Sequence, residues 1–130
     1  MRRSITVAGL EHGSNPIPAA CRIGPLLTTG GVRGVDRATG QLPSDPADEV
    51  RLAFANLSTL LEAGGAGLGD VAHVTVFVAD KEVRPLLNTA WVEAFPDPDS
   101  RPARHVLAHD LPGGMRIQLE ATAYIEGEIR

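Results

Sequence analysis

Two periodicities alternate along the chain. In residues 115–125 every second position is apolar. Met115, Ile117, Leu119, Ala121, Ala123 and Ile125 fall on one face, and Arg116, Gln118, Glu120, Thr122 and Tyr124 on the other. That pattern predicts a long strand with one buried face. Residues 71–79 also read as a strand, with Val74, Val76 and Val78 on one side and His73, Thr75, Phe77 and Ala79 on the other. Both sides are largely apolar, as in a strand covered on both faces. Residues 103–109 form another strand, and residues 4–8 a short first one. Residues 21–29 are apolar enough for a strand in which Pro25 demands an edge or irregular position. Gly30 and Gly31 allow a sharp bend before Val32. Residues 35–41 read as a turn around Ala38, Thr39 and Gly40, feeding a short strand or extended segment.

Elsewhere the apolar positions recur three or four apart. Val50, Phe54, Leu57 and Leu61, with Ala53 and Leu60 beside them, make the broad apolar face of a helix. Asp45 suits its N-cap, Pro46 its first position, and Asp48 its positive end. Gly64 and Gly65 stop it. A second helix carries Val83, Leu87, Ala90, Trp91, Ala94 and Phe95 as its buried stripe, with Asp80 as its cap and Pro96 as its end. The order is strands, helix, strand, helix, strands, an α+β arrangement. Two helices cannot easily cover both faces of such a sheet. They are expected on one face, which leaves the other to a partner and predicts a homo-oligomer.

At 130 residues the chain suits one domain, residues 1–130. A hydrophobic fraction of 43% argues for a folded core, and with aromatics at only 4% that core must come mostly from Leu, Val, Ile and Ala. The net charge of -4 argues against a main task of gripping a phosphate backbone, and the aromatics lack a basic stripe, so nucleic acid is not an expected partner. One cysteine can form neither an internal disulfide nor a Cys-rich metal site, and Cys21 reads as a packed small side chain. His12, His73, His105 and His109 have no zinc spacing, and the glycines match no phosphate-binding signature. Neither a metal nor a cofactor is expected. Without a signal-peptide pattern or an 18-residue apolar run, the expectation is a cytoplasmic protein with no membrane partner.

Two side chains stand out chemically. Arg104 lies near the start of a strand, after a proline-bounded loop. Its guanidinium fork suits a small carboxylate, or equally a salt bridge between subunits. Glu120 sits in the middle of the last strand. Partly buried there, it suits orienting or deprotonating a water, or equally pairing with an arginine. On neighbouring antiparallel strands the two would either share a site or pair with each other.

The segments 64–78, Asn88 to Phe95 (NTAWVEAF), Arg101 to Arg104 (RPAR), Leu111-Pro112 and Gln118 to Ala123 (QLEATA) agree together in order and spacing. On them nearly the whole chain resembles the RidA (YjgF/YER057c/UK114) family. The resemblance implies a chorismate-mutase-like α+β subunit, a mixed sheet with two helices on one face, assembled as a homotrimer with clefts between subunits. It implies hydrolysis of reactive enamines and imines such as 2-aminoacrylate to 2-oxo acids with loss of ammonia. Arg104 matches the family's carboxylate-binding arginine and Glu120 the glutamate proposed to position or activate water. Asn88 matches a cleft residue of the second helix, Thr29 and Gly31 fall in the strand and turn lining the site, and main chain at Arg104, His105 and Val106 would help hold imine and water.

Three positions depart from the family pattern. Ile17 replaces a common tyrosine, Val106 a common cysteine, and Gly31 a larger amide. The pocket is thereby altered in size and polarity, with His105 or His109 as replacement polar groups. The expected function is hydrolytic deamination of small imino or enamine acids. Binding of a small carboxylate without turnover is the alternative. RNA cleavage or translation inhibition, labels carried by family members, sits poorly with the acidic balance.

Overall fold

The computed structural model describes residues 1–127. In chain order it contains β1 (Arg2–Ile5), β2 (Ala20–Ile23), β3 (Leu26–Thr29), β4 (Val32–Arg33), α1 (Pro46–Ala63), β5 (Val71–Val78), α2 (Val83–Ala94), β6 (Ala103–Ala108) and β7 (Ile117–Tyr124). The strands form one sheet in the order β1-β2-β3-β7-β5-β6, with β4 paired to β7 beyond the end of β3. Only β5 and β6 run parallel, with α2 as their crossover; the other pairs are antiparallel. The sheet is therefore mixed.

Both helices lie on one face. Val50, Ala53, Phe54, Leu57, Leu60 and Leu61 of α1 join Val83, Leu87, Ala90 and Trp91 of α2 in one buried cluster with Val74, Val76, Val78, Ile117, Leu119 and Ala121 of the sheet. The caps explain where α1 starts and stops. The Asp45 carboxylate accepts from the Ala47 N–H at 3.0 Å, and Pro46 opens the helix. At the other end the carbonyl of Gly64 accepts from Arg22 Nη1 at 2.6 Å and Arg3 Nη2 at 3.3 Å. Two strands thus bring cations to the negative end of α1.

Glu49 on α1 ties the helix to the start of β7. It is fully buried, and its Oε2 accepts from the Arg116 N–H at 2.8 Å while its Oε1 accepts from Arg116 Nη1 at 2.6 Å. Arg116 Nη1 and Nη2 also donate to the carbonyls of Pro43 and Ser44.

Several expectations change. Residues 21–29 form a hairpin, β2 and β3, because Gly24 at φ 55° begins a two-residue turn that a continuous strand could not contain. The first strand ends at Ile5 rather than running to residue 8. Asp80 closes the turn before α2 instead of capping it: its carboxylate accepts from the Glu82 N–H at 2.8 Å, and the helix starts at Val83 without a side-chain cap. In β5 only the valine side is buried; His73 is exposed and Thr75 and Phe77 are half-buried. Their face of the sheet is open. It also carries the exposed apolar side chains of Ile23, Leu26, Leu107 and Tyr124. No helix among the described residues is long and apolar enough to cross a membrane.

Candidate functional site

The sequence-predicted residues fall into two groups on opposite sides of the sheet. Arg104 stands level with Val74 in the parallel β5–β6 pair, and Val74 is buried toward the helices. Arg104 therefore projects on the helix side, at the free edge of β6. Its Nη2 donates to Asn88 Oδ1 at 2.9 Å, and its guanidinium carbon lies 5.0 Å from the Trp91 ring centroid. Asn88 and Trp91 are three apart on α2, so one helix turn supplies both contacts. Trp91 is held in turn by Phe54, with ring centroids 6.3 Å apart, and Phe95 at 4.6 Å. Val106, two residues along β6, packs half-buried against the core on the same side.

This seating leaves Arg104 incompletely satisfied. Its Nη1 is shielded from solvent and has no hydrogen-bond partner among the described residues. Burial first, and the positive charge of Arg84 second, lower its pKa from the ordinary arginine value. The guanidinium still carries its charge at neutral pH. Both influences favour an anion beside it, since an opposite charge stabilises the cation and uses the unpartnered donor.

The second group lies where β3 leaves β7 and β4 joins it. Thr28 is level with Thr122 and Val32 with Leu119, so residues 29–31 stand opposite only Glu120 and Ala121. The chain bulges there, and Thr29 Oγ1 fills the gap in the ladder by accepting from the Ala121 N–H at 3.0 Å. The Gln118 side chain lies directly over Gly31; a Cβ on that glycine would sit 2.7 Å from Gln118 Cδ. Glu120 is exposed on the open face, level with Thr75, which is level with His105 on its other side. His12 abuts Gly30 from the loop between β1 and β2, with its Nε2 buried and without a hydrogen-bond partner among the described residues. Burial, and then the charge of Arg33, hold the His12 pKa below the usual histidine value. Ile17, in the same loop, is exposed. His109 leaves the end of β6 and meets Phe77 edge-on, with ring centroids 6.2 Å apart.

Residues 14–125 match the family described as Endoribonuclease L-PSP. The chain is 29% identical to the 2-iminobutanoate/2-iminopropanoate deaminase of Escherichia coli K12, over 95% of this chain and 98% of that protein. A Thermotoga maritima crystal structure superimposes with a TM-score of 0.89 at 30% identity, covering 98% of this chain and all of that one. The crystal structure of RidA from an Antarctic Psychrobacter superimposes with a TM-score of 0.86 at 25% identity, covering 95% and 99%. The chain belongs to the RidA/YjgF family.

The mixed sheet with two helices on one face is the fold of RidA/YjgF proteins. In that fold Arg104 and Glu120 lack the arrangement in which they would share a site or pair with each other within one chain. Their strands are not neighbours, since β5 lies between them. Their side chains leave opposite faces, and among the described residues no ion pair joins them. Glu120 is exposed in the single chain rather than partly buried. Sequence reasoning also passed over Trp91 as a support for Arg104, reading it only as core. Its spacing from Asn88 was the available signal. Gln118 was equally legible by alternation, which places it on the face of Glu120. A groove of about 370 Å³ between α1 and α2, walled by Phe54, Ala55, Leu68, Ala90 and Ala94, contains none of the predicted site residues.

Proposed function

We propose that this chain hydrolyses small carboxylate-bearing imines or enamines, releasing ammonia and leaving 2-oxo acids. The seating of Arg104 carries the reading: a charged fork braced by Asn88 and Trp91, with a shielded donor that nothing among the described residues satisfies. Likeness to the E. coli 2-iminobutanoate/2-iminopropanoate deaminase along nearly its whole length supports the reaction type.

On this reading the two groups, on opposite faces of one chain, come together across a second copy. Arg104, Asn88 and Val106 of one copy meet Thr29, Gly31 and Glu120 of the next, in a homotrimer with three such clefts. Two observations support association through the open face. That face carries exposed Ile23, Leu26, Leu107 and Tyr124, and the single chain exposes 7258 Å², about 10% above the roughly 6,600 Å² usual for a monomer of this mass.

In the cleft Arg104 anchors the carboxylate in two parallel hydrogen bonds and fixes the imine carbon. Glu120 orients a water and accepts a proton as its oxygen bonds to that carbon. Glu120 passes that proton to nitrogen, giving the neutral carbinolamine. The hydroxyl of this adduct then gives its own proton, again through Glu120, to nitrogen as the C=O bond forms, the C–N bond breaks and ammonia leaves. No net redox change occurs.

The test generates a series of 2-imino acids in situ and follows their loss against spontaneous hydrolysis. The expected result is acceleration that Glu120→Gln abolishes while the trimer mass is retained. No acceleration across the series sinks the reading; binding of 2-oxo acids without turnover replaces it with a carboxylate-binding role. The family description gives RNA cleavage a hearing. Salt-dependent RNA cleavage lost in Glu120→Gln would establish it, against the net charge of -4.

A further inference from the structure

The Gln118 amide is positioned by a glycine rather than by hydrogen bonds. It lies against the α-carbon of Gly31, where any side chain at position 31 would overlap it. Among the described residues it makes no hydrogen bond, although it is half-buried. Its neighbours across the ladder are Phe77 on β5 and Arg33 on β4, and the Arg33 guanidinium is engaged with the carbonyl of Glu11 at 3.0 Å. Alternation places Gln118 on the face of Glu120, about 7 Å along β7. The amide brings two donors and an acceptor oxygen to the face of the sheet that carries the Glu120 carboxylate.

We propose that the Gln118 amide, seated on Gly31 beside Glu120, determines ligand selectivity in this site and favours 2-imino and 2-oxo acids with a hydrogen-bonding side chain over those with an alkyl one. The inference rests on reading the Thr29–Gly31 bend and Glu120 as one wall of a carboxylate-binding cleft. The physical reason is asymmetric. A ligand hydroxyl replaces the water lost by the amide, whereas a methyl group in the same place strips that water and returns nothing. Position 31 must be glycine for this to work, because the amide occupies the volume of its missing side chain. Gln118 thus supplies an amide from β7 at the turn where a larger residue 31 would have stood.

The ligand pair that isolates the effect is hydroxypyruvate and 2-oxobutanoate, which differ only by a hydroxyl in place of a methyl. Calorimetric titration of the assembled protein should show hydroxypyruvate bound roughly tenfold more tightly, the factor expected when one polar contact is made rather than left open. Gln118→Leu should bring the ratio to about one or invert it, with binding of 2-oxobutanoate retained. Gly31→Ala, which displaces the amide without removing it, should move the ratio the same way, and the double variant should move it no further than either alone. Gln118→Met supplies the same comparison if the leucine variant fails to fold. Equal affinities in the unsubstituted protein, no binding of either acid, or a preference that survives Gln118→Leu at unchanged melting temperature and oligomer mass would each overturn the proposal. Selective binding without imine turnover would sink the deaminase reading and leave this subsite standing. Turnover with equal affinities would do the reverse.

Discussion

Two arginines of this fold meet opposite fates. Arg116 is taken up by structure: it grips both oxygens of buried Glu49 through its N–H and Nη1, and Nη1 and Nη2 also donate to the carbonyls of Pro43 and Ser44. Arg104 is braced more lightly, by Asn88 and the face of Trp91, and one shielded nitrogen has no partner among the described residues. A buried donor without a partner costs free energy, and an anion beside Arg104 would remove that cost. The contrast separates a charge that assembles the subunit from a charge suited to a ligand.

Each charge can be removed, and the readouts should diverge. Glu49→Ala should have the largest effect, about 3–5 kcal/mol of stability, because it leaves Arg116 uncompensated and opens space under Gly34. Chemical denaturation measures it, and a loss below about 1 kcal/mol would show that the pair is dispensable. Arg104→Ala should leave the melting temperature within a few degrees but lower kcat/KM for imine loss by about 100-fold, the equivalent of about 2.7 kcal/mol of charged hydrogen bonding. Arg104→Lys should recover little of that, since an ammonium keeps the charge and loses the fork. An active Arg104→Ala would erase the contrast. Asn88→Ala should cost about tenfold, mainly in KM, because the guanidinium keeps its charge and its tryptophan support but loses one brace. Steady-state kinetics decides that, and an effect confined to kcat would place Asn88 elsewhere in the chemistry.

The smallest expected effect concerns His12. Its folded pKa lies below the unfolded value near 6.5, so the unfolded chain binds more protons in that range. Stability is then fully present above about pH 6.5 and declines as pH falls toward the folded value. His12→Gln should flatten this part of the melting profile between pH 7 and 5. An unchanged slope would assign the acid sensitivity to other groups.

The legible part of this protein is what neighbours in the chain decide. The alternation from Met115 to Ile125 correctly separated Ile117, Leu119, Ala121 and Ala123 from Gln118, Glu120 and Tyr124. The helix beginning at Pro46 was marked by its own cap and stripe. The hairpin within residues 21–29 was missed because an apolar run does not reveal where it folds back, and Gly24 was passed over as a turn signal. Asp80 was misplaced because an acidic residue before a helix serves the preceding turn as readily as the cap.

The candidate site divides along the same line. Arg104 and Glu120 were nominated by residue type and strand position, and alternation fixed the side of its strand that Glu120 occupies. Which strand lies beside which is a matter of long-range register, and a shift of one residue exchanges the faces. Only the tertiary structure therefore placed β5 between them, turned Arg104 toward Trp91 and Glu120 toward the open face, and set the Gln118 amide on Gly31. The sequence by itself determined the elements and their apolar faces, because those depend on spacing within a segment. The pairing of the segments, and with it the separation of Arg104 and Glu120 onto opposite faces, depends on contacts between residues far apart in the chain.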